Sequence, residues 1–144
     1  MPMKGLGKAK KLFQRKKFAQ LIRLLEPEIF QYRKSFTFFY LLGTSCLYHN
    51  DTGGALSYIR RALQLKEDNV DALLVMAAIH LKRNDTEEAL RIWLHIIEID
   101  KNNSRAQKGL NLLRKAKEPE DLVDYAASPK VTELFPPIRR NLLV

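Results

Sequence analysis

Residues 36–69 and 70–103 align over 34 positions without a gap, and a fixed period of that length constrains a fold more tightly than composition does. The first copy reads Phe39-x2-Leu42-Gly43-x2-Cys46 and then Ala55-x3-Ile59-x2-Ala62. The second reads Leu73-x2-Met76-Ala77-x2-His80 and then Ala89-x3-Trp93-x2-Ile96, every pair offset by 34. Apolar residues three and four apart imply a helix, and two such runs per period imply a helical hairpin. Short helices cannot bury an apolar stripe alone, so hairpins must stack, with small residues where the helices cross. Gly43, Ala55, Ala62, Ala77 and Ala89 supply them. Asn50-Asp51-Thr52-Gly53-Gly54 and Asn84-Asp85-Thr86-Glu87-Glu88 fill the turns, because Asn and Asp tolerate left-handed dihedrals and Asp or Thr caps the next helix. Lys66-Glu67-Asp68-Asn69 and Asp100-Lys101-Asn102-Asn103 join one hairpin to the next.

This pattern resembles the tetratricopeptide repeat, in which a bulky residue, Leu-Gly and Tyr mark the first helix, and Ala, Phe and a closing Pro mark the second. The resemblance implies an all-α fold, a right-handed superhelical stack of antiparallel helical hairpins. The closing Pro is missing, with Glu67 and Lys101 in its place, so the joints are expected to be less stiff. Running the register backwards places Leu21, Leu25 and Glu28 where Ala55, Ile59 and Ala62 lie. That makes residues 18–35 a degraded repeat segment, its second helix running from Phe18 to Arg33 and kinked by Pro27 near Arg23. Residues 1–17 form a basic arm or short helix, with Leu6, Ala9 and Phe13 at helical spacing. Residues 36–69 and 70–103 are the two good repeats and 104–127 are capping helices, in which Gln107, Asn111 and Arg114 put polar side chains at signature positions. Residues 128–144, with Pro129, Pro136 and Pro137, read as an extended tail. Its apolar residues Val131, Leu134, Phe135, Ile138, Leu142, Leu143 and Val144 are expected to lie along the carboxy-terminal helices, across the protein's own groove, or on another copy.

Charge is concentrated at one end. Residues 1–35 carry ten basic side chains against two acidic ones, whereas the rest of the chain holds 15 against 14. Lys4, Lys8, Lys10, Lys11, Arg15, Lys16 and Lys17 account for most of that excess, and such a block is either an interaction segment or a solvated arm. An acidic protein surface suits it better than anionic lipid. The absence of stacking aromatics or base-reading residues argues against nucleic acid. The lysine-rich amino terminus has no apolar signal core and no run is long enough to span a bilayer, so a cytoplasmic location is the default expectation.

Nothing in the sequence points to catalysis. A single cysteine, Cys46, provides no redox or metal pair, and His49, His80 and His95 stand 31 and 15 residues apart. Cys46, His80 and Trp93 occupy repeat positions that pack inside or between hairpins, so they read as core. Gly53-Gly54 lacks the Lys-Ser/Thr and preceding strand of a phosphate loop. No cofactor and no metal are expected.

The resemblance implies an inner groove lined by the first helix of each hairpin. By register its walls are Thr37, Tyr40, Thr44, Leu47 and Tyr48, then Asp71, Leu74, Ala78, Leu81 and Lys82, then Arg105, Lys108 and Leu112. The chaperone-binding members grip a terminal carboxylate with Lys and Asn. The matching positions here are Tyr40, Thr44, Val75, Arg105 and Gly109, so that specificity does not carry over. A groove of Tyr, Leu and Ala with a basic end suits an apolar segment flanked by acidic residues. The reading is a non-enzymatic scaffold or adaptor. Its rivals are a self-associating structural subunit and a peripheral protein that docks its basic helix on anionic membrane.

Overall fold

The computed structural model describes residues 3–139, with side chains from Leu6 onward. Lys4 of the basic block, and Leu142, Leu143 and Val144 of the tail, therefore lie outside the side chains described. Among the described residues there are eight α-helices, two short 3-10 segments and no strand. The chain divides into two compact units, one reaching to Glu67 and taking in the segment from Pro137, the other running Asp68–Pro136.

The first unit holds α1 (Met3–Gln14), α2 (Phe18–Leu25), α3 (Phe36–Tyr48) and α4 (Thr52–Leu65). Helix α1 packs on α2, α3 pairs with α4, and α1 and α2 both lie against α3. The amino-terminal block is thus an ordered helix whose Leu6, Ala9 and Phe13 are buried, not a loose arm. Helix α2 stops at Leu25, and Glu26–Glu28 is 3-10, so the expected helix through Arg33 is cut short rather than kinked. Pro27 explains this: it has no N–H to donate to the carbonyl of Arg23, and its ring clashes with that carbonyl. Tyr32 then re-enters the core and stacks on Phe38 with ring centroids 5.0 Å apart.

The hairpin turns repeat with the sequence period. Lys16, Asn50 and Asn84, spaced by 34, have φ of 58°, 65° and 62°, the left-handed conformation that ends a helix. At each, the same two hydrogen bonds close the turn. The amides of Lys16, Asn50 and Asn84 donate to Phe13, Leu47 and Leu81 at 3.0 Å, and those of Lys17, Asp51 and Asp85 donate to Leu12, Cys46 and His80 at 2.8 Å. The carboxylates of Asp51 and Asp85 then accept from the amides of Gly54 and Glu88, starting the second helices. Ser35, Asn69 and Asn103, also 34 apart, cap the first helices by accepting from Phe38, Ala72 and Ala106. The α1–α2 hairpin therefore follows the same rule as the two good repeats, although its signature residues have drifted.

Small residues sit where helices meet. Gly43, Ala55, Ala62, Ala77 and Ala89 are all buried. A Cβ at Gly43 would stand 2.7 Å from Ile59 Cγ1 and 3.1 Å from the Ile59 backbone nitrogen, so only glycine lets α3 approach α4 this closely.

The second unit holds α5 (Val70–Lys82), α6 (Thr86–Ile99), α7 (Ser104–Lys115) and α8 (Pro119–Ala127). Helix α5 pairs with α6, and α6 packs on α7. Trp93 of α6 is fully buried against Gly109 of α7, where a Cβ would stand 2.4 Å from the indole Cε2. After α7 the rule breaks. Glu118, one period beyond Asn84, is extended with φ −128° and ψ 150°, and Ala116 is extended too. Without a left-handed residue the chain does not fold back as a hairpin. Pro119 opens α8, the Asp121 carboxylate accepts from the amides of Lys117 and Glu118, and the helix crosses to lie against α5. Residues Pro129–Leu134 form a 3-10 segment rather than the extended run expected, because Pro129 fixes a helical φ at its start and Thr132 Oγ1 donates to the Pro129 carbonyl. That segment packs on α5, α7 and α8.

Candidate partner-binding face

The first helices of the hairpins were expected to present an open wall. In the first unit that wall is closed. Tyr40, Thr44 and Leu47 are buried, and Thr37 and Tyr48 are half-buried. Tyr40 stacks on Phe36 at 5.7 Å and Tyr48 on Phe18 of α2 at 4.3 Å. The Thr44 hydroxyl is buried as well. The expectation failed because it assumed nothing in front of α3, whereas α1 and α2 both pack there.

In the second unit Leu74, Ala78 and Leu81 are likewise buried, with Asp71, Lys82 and Arg105 half-buried and Lys108 exposed. Here the covering element is the chain's own carboxy-terminal segment. Val131, Leu134 and Phe135 are buried, as are Ala126 and Pro136. Basic side chains of the first helices hold its polar atoms: Lys82 Nζ donates to the Ala126 carbonyl at 3.2 Å, and Arg105 Nε donates to the Phe135 carbonyl. Lys108 Nζ stands 3.9 Å from Glu133 Oε2, while the Tyr125 hydroxyl donates to Glu133 Oε1 at 2.8 Å. Burial lowers the Lys82 pKa, and burial with the Glu133 hydrogen bond raises that of Tyr125.

The sequence reading named Lys82, Arg105 and Lys108 but not Tyr125 and Glu133, which also take part in these contacts. The available signal was the apolar content of residues 131–138. Beside this face, Ser104, Gln107, Lys108, Leu112, Tyr125 and Glu133 are among the residues that line an open depression of about 400 Å³.

The basic block is ordered as follows. Lys8, Lys11, Arg15, Lys16 and Lys17 are exposed and Lys10 is half-buried. Among the described side chains of α1, Leu6, Ala9 and Phe13 are buried against protein and are not available to a bilayer. Among the described residues no helix is long and apolar enough to cross a membrane, and no group of three His, Cys, Asp or Glu is placed to hold a metal. Cys46 is buried, and desolvation, with smaller contributions from Asp51 and Glu26, pushes its thiol up to about 12, the opposite of an activated nucleophile. Half-buried His80 lies 3.6 Å from Asp85 within its own hairpin turn.

No curated protein matches the chain. A family model, that of the tetratricopeptide repeat, matches residues 47–116, from the end of α3 to the end of α7. Tetratricopeptide repeats generally mediate protein–protein interaction, and the family is typically non-enzymatic. Two gapless 34-residue copies, left-handed turns recurring at that spacing, helices packed in consecutive pairs and the match to residues 47–116 together identify tetratricopeptide repeats in this chain.

Proposed function

We propose that this chain is a non-enzymatic scaffold or adaptor that holds an apolar, acid-bearing segment of another protein against the face of α5 and α7. The observation that carries the reading is the set of basic groups rising from those helices beside buried apolar residues. Lys82 and Arg105 are positioned to hydrogen-bond backbone carbonyls, Lys108 to pair with a carboxylate, and Leu74, Ala78 and Leu81 form the apolar floor. Carbonyl clamps of this kind are indifferent to side-chain identity, so sequence preference comes from the apolar floor and the single carboxylate.

The test is capture from native lysate by the full chain and by a Lys82→Ala, Arg105→Ala, Lys108→Ala variant with unchanged helical circular dichroism. Proteins retained by the parent and lost by the variant support the reading. Identical capture by both removes this face from consideration.

A second reading has its own observation. Exposed Lys8, Lys11, Arg15, Lys16 and Lys17 have no acidic residue near them in sequence, which suits steering of an acidic partner rather than lipid insertion. Association governed by this end slows as salt is raised; a rate independent of ionic strength rules it out.

A further inference from the structure

We infer that the α5–α7 face is a receptor held shut by the protein's own residues 128–136, and that its partner is a segment with that stretch's chemistry: an acidic residue followed by an aliphatic–aromatic pair and proline. The inference rests on the partner-binding reading above and names both the ligand class and its control.

Three observations carry it. First, the covering segment is joined as a strap and not as a hairpin helix. The positions that should fold the chain back are extended at Ala116 and Glu118, and residues 117–121 are all exposed. Second, the contacts are those of a bound peptide. Three apolar side chains are buried, Val131 and Leu134 in a 3-10 turn and Phe135 in the extended residue after it, the Phe135 carbonyl is held by Arg105, and one carboxylate, Glu133, meets Lys108. Third, the charged pair lies at the rim. Glu133 and Lys108 are both largely exposed, so that pair can exchange with water and with a competing carboxylate while the apolar residues are still seated.

The sequence Glu133-Leu134-Phe135-Pro136 thus states what the face accepts. A tether keeps the covering stretch at high local concentration, so a free segment of equal quality competes poorly until the strap is weakened. The device is a threshold: partners must exceed the strap's own fit, or something must loosen it first.

The experiment uses the full chain and a fluorescent peptide of residues 128–139, read by anisotropy. A Leu134→Asp, Phe135→Asp chain should bind the peptide saturably and about tenfold or more tighter than the parent, and a peptide with the same two changes should not bind. Equal affinity for parent and variant overturns the closure while leaving partner binding at this face intact. No binding to a variant with full helical circular dichroism overturns the receptor itself. Light scattering adds one further outcome: a parent that is a stable dimer, dissociated by the double substitution, means the segment is exchanged between copies and the inference falls. Should the variant fail to fold, hydrogen exchange on the parent decides. Amides of Val131 and Phe135 are expected to exchange about tenfold or more faster than that of Ile79, through opening of the strap alone. Equal protection makes the segment inseparable core and overturns the inference.

Discussion

The contact between Trp93 and Gly109 gives the most quantitative prediction. An alanine at 109 would place its Cβ 2.4, 2.5 and 2.7 Å from indole Cε2, Cδ2 and Cζ2. Ordinary carbon contacts lie at about 3.5–4.0 Å, so α7 or the ring must retreat by about 1 Å. The indole is rigid and fully buried, and it cannot swing aside as a flexible side-chain end would. Overpacking of this kind costs about 1–3 kcal/mol. Alanine gains about 1 kcal/mol over glycine in helix preference, leaving a net loss of up to about 2 kcal/mol. With an unfolding entropy of about 2.1 cal/mol/K per residue, a chain of 144 residues loses up to about 7 °C in Tm. Trp93 is the chain's one tryptophan, so its fluorescence in a urea titration reports on this contact directly. The control is Gly7→Ala: a Cβ there meets nothing within 4 Å, and the same helix preference should raise stability by about 1 kcal/mol. If Gly109→Ala raises the midpoint as Gly7→Ala does, the close approach of α7 to the indole is wrong.

Lys16→Gly should raise the urea midpoint, because a side chain at φ 58° costs about 1 kcal/mol that glycine avoids; a lower midpoint would mean the lysine stem contributes packing. Ala78→Leu and Ala89→Leu should each lose about 1–3 kcal/mol by overpacking, since both residues are fully buried, and an Ala78→Leu chain as stable as the parent would reopen the α5 face. Cys46 should resist alkylation at pH 8 until denaturant is added. Its pKa is raised from 9.0 to about 12 in the fold, so its contribution to stability is complete below pH 9 and lost as pH climbs toward about 12. His95 should titrate above its ordinary 6.5 by NMR, because Asp68 accepts a hydrogen bond from it, and Asp68→Asn should lower that midpoint. The stabilisation is present below pH 6.5 and fades as pH rises through the elevated value, so an unchanged midpoint in the variant would deny the pairing.

The hairpins were legible because their determinants are local and periodic. Asn50 and Asn84 announce left-handed turns, Asp51 and Asp85 announce the caps, and Gly43 and the alanines mark the crossings, each from a residue type whose physics acts within a few positions. Lys16 was not legible as a third turn, since lysine carries no left-handed preference and only the geometry of Phe13 and Leu12 reveals the motif. The helix through Arg33 was misjudged although its breaker, Pro27, was in view. The open groove was misjudged for a different reason: whether Tyr40 or Ala78 is exposed depends on what else packs there, and α1, α2 and the carboxy-terminal segment come from distant sequence. Glu118 held the clue to the last error, an extended residue where the period asks for a left-handed one.

The order in which the second unit is synthesised matters for its exposure. Helices α5 and α7 are complete at Lys115, but the residues that seal their apolar side run to Pro136. At a translation rate of about 5–20 residues per second, those 21 residues take about 1–4 s to add. Until that stretch is in place, the sides of α5 and α7 on which the 3-10 segment packs are without their cover. During that interval the second unit carries an apolar side that its own chain has yet to cover, the stage at which it is most open to unwanted association.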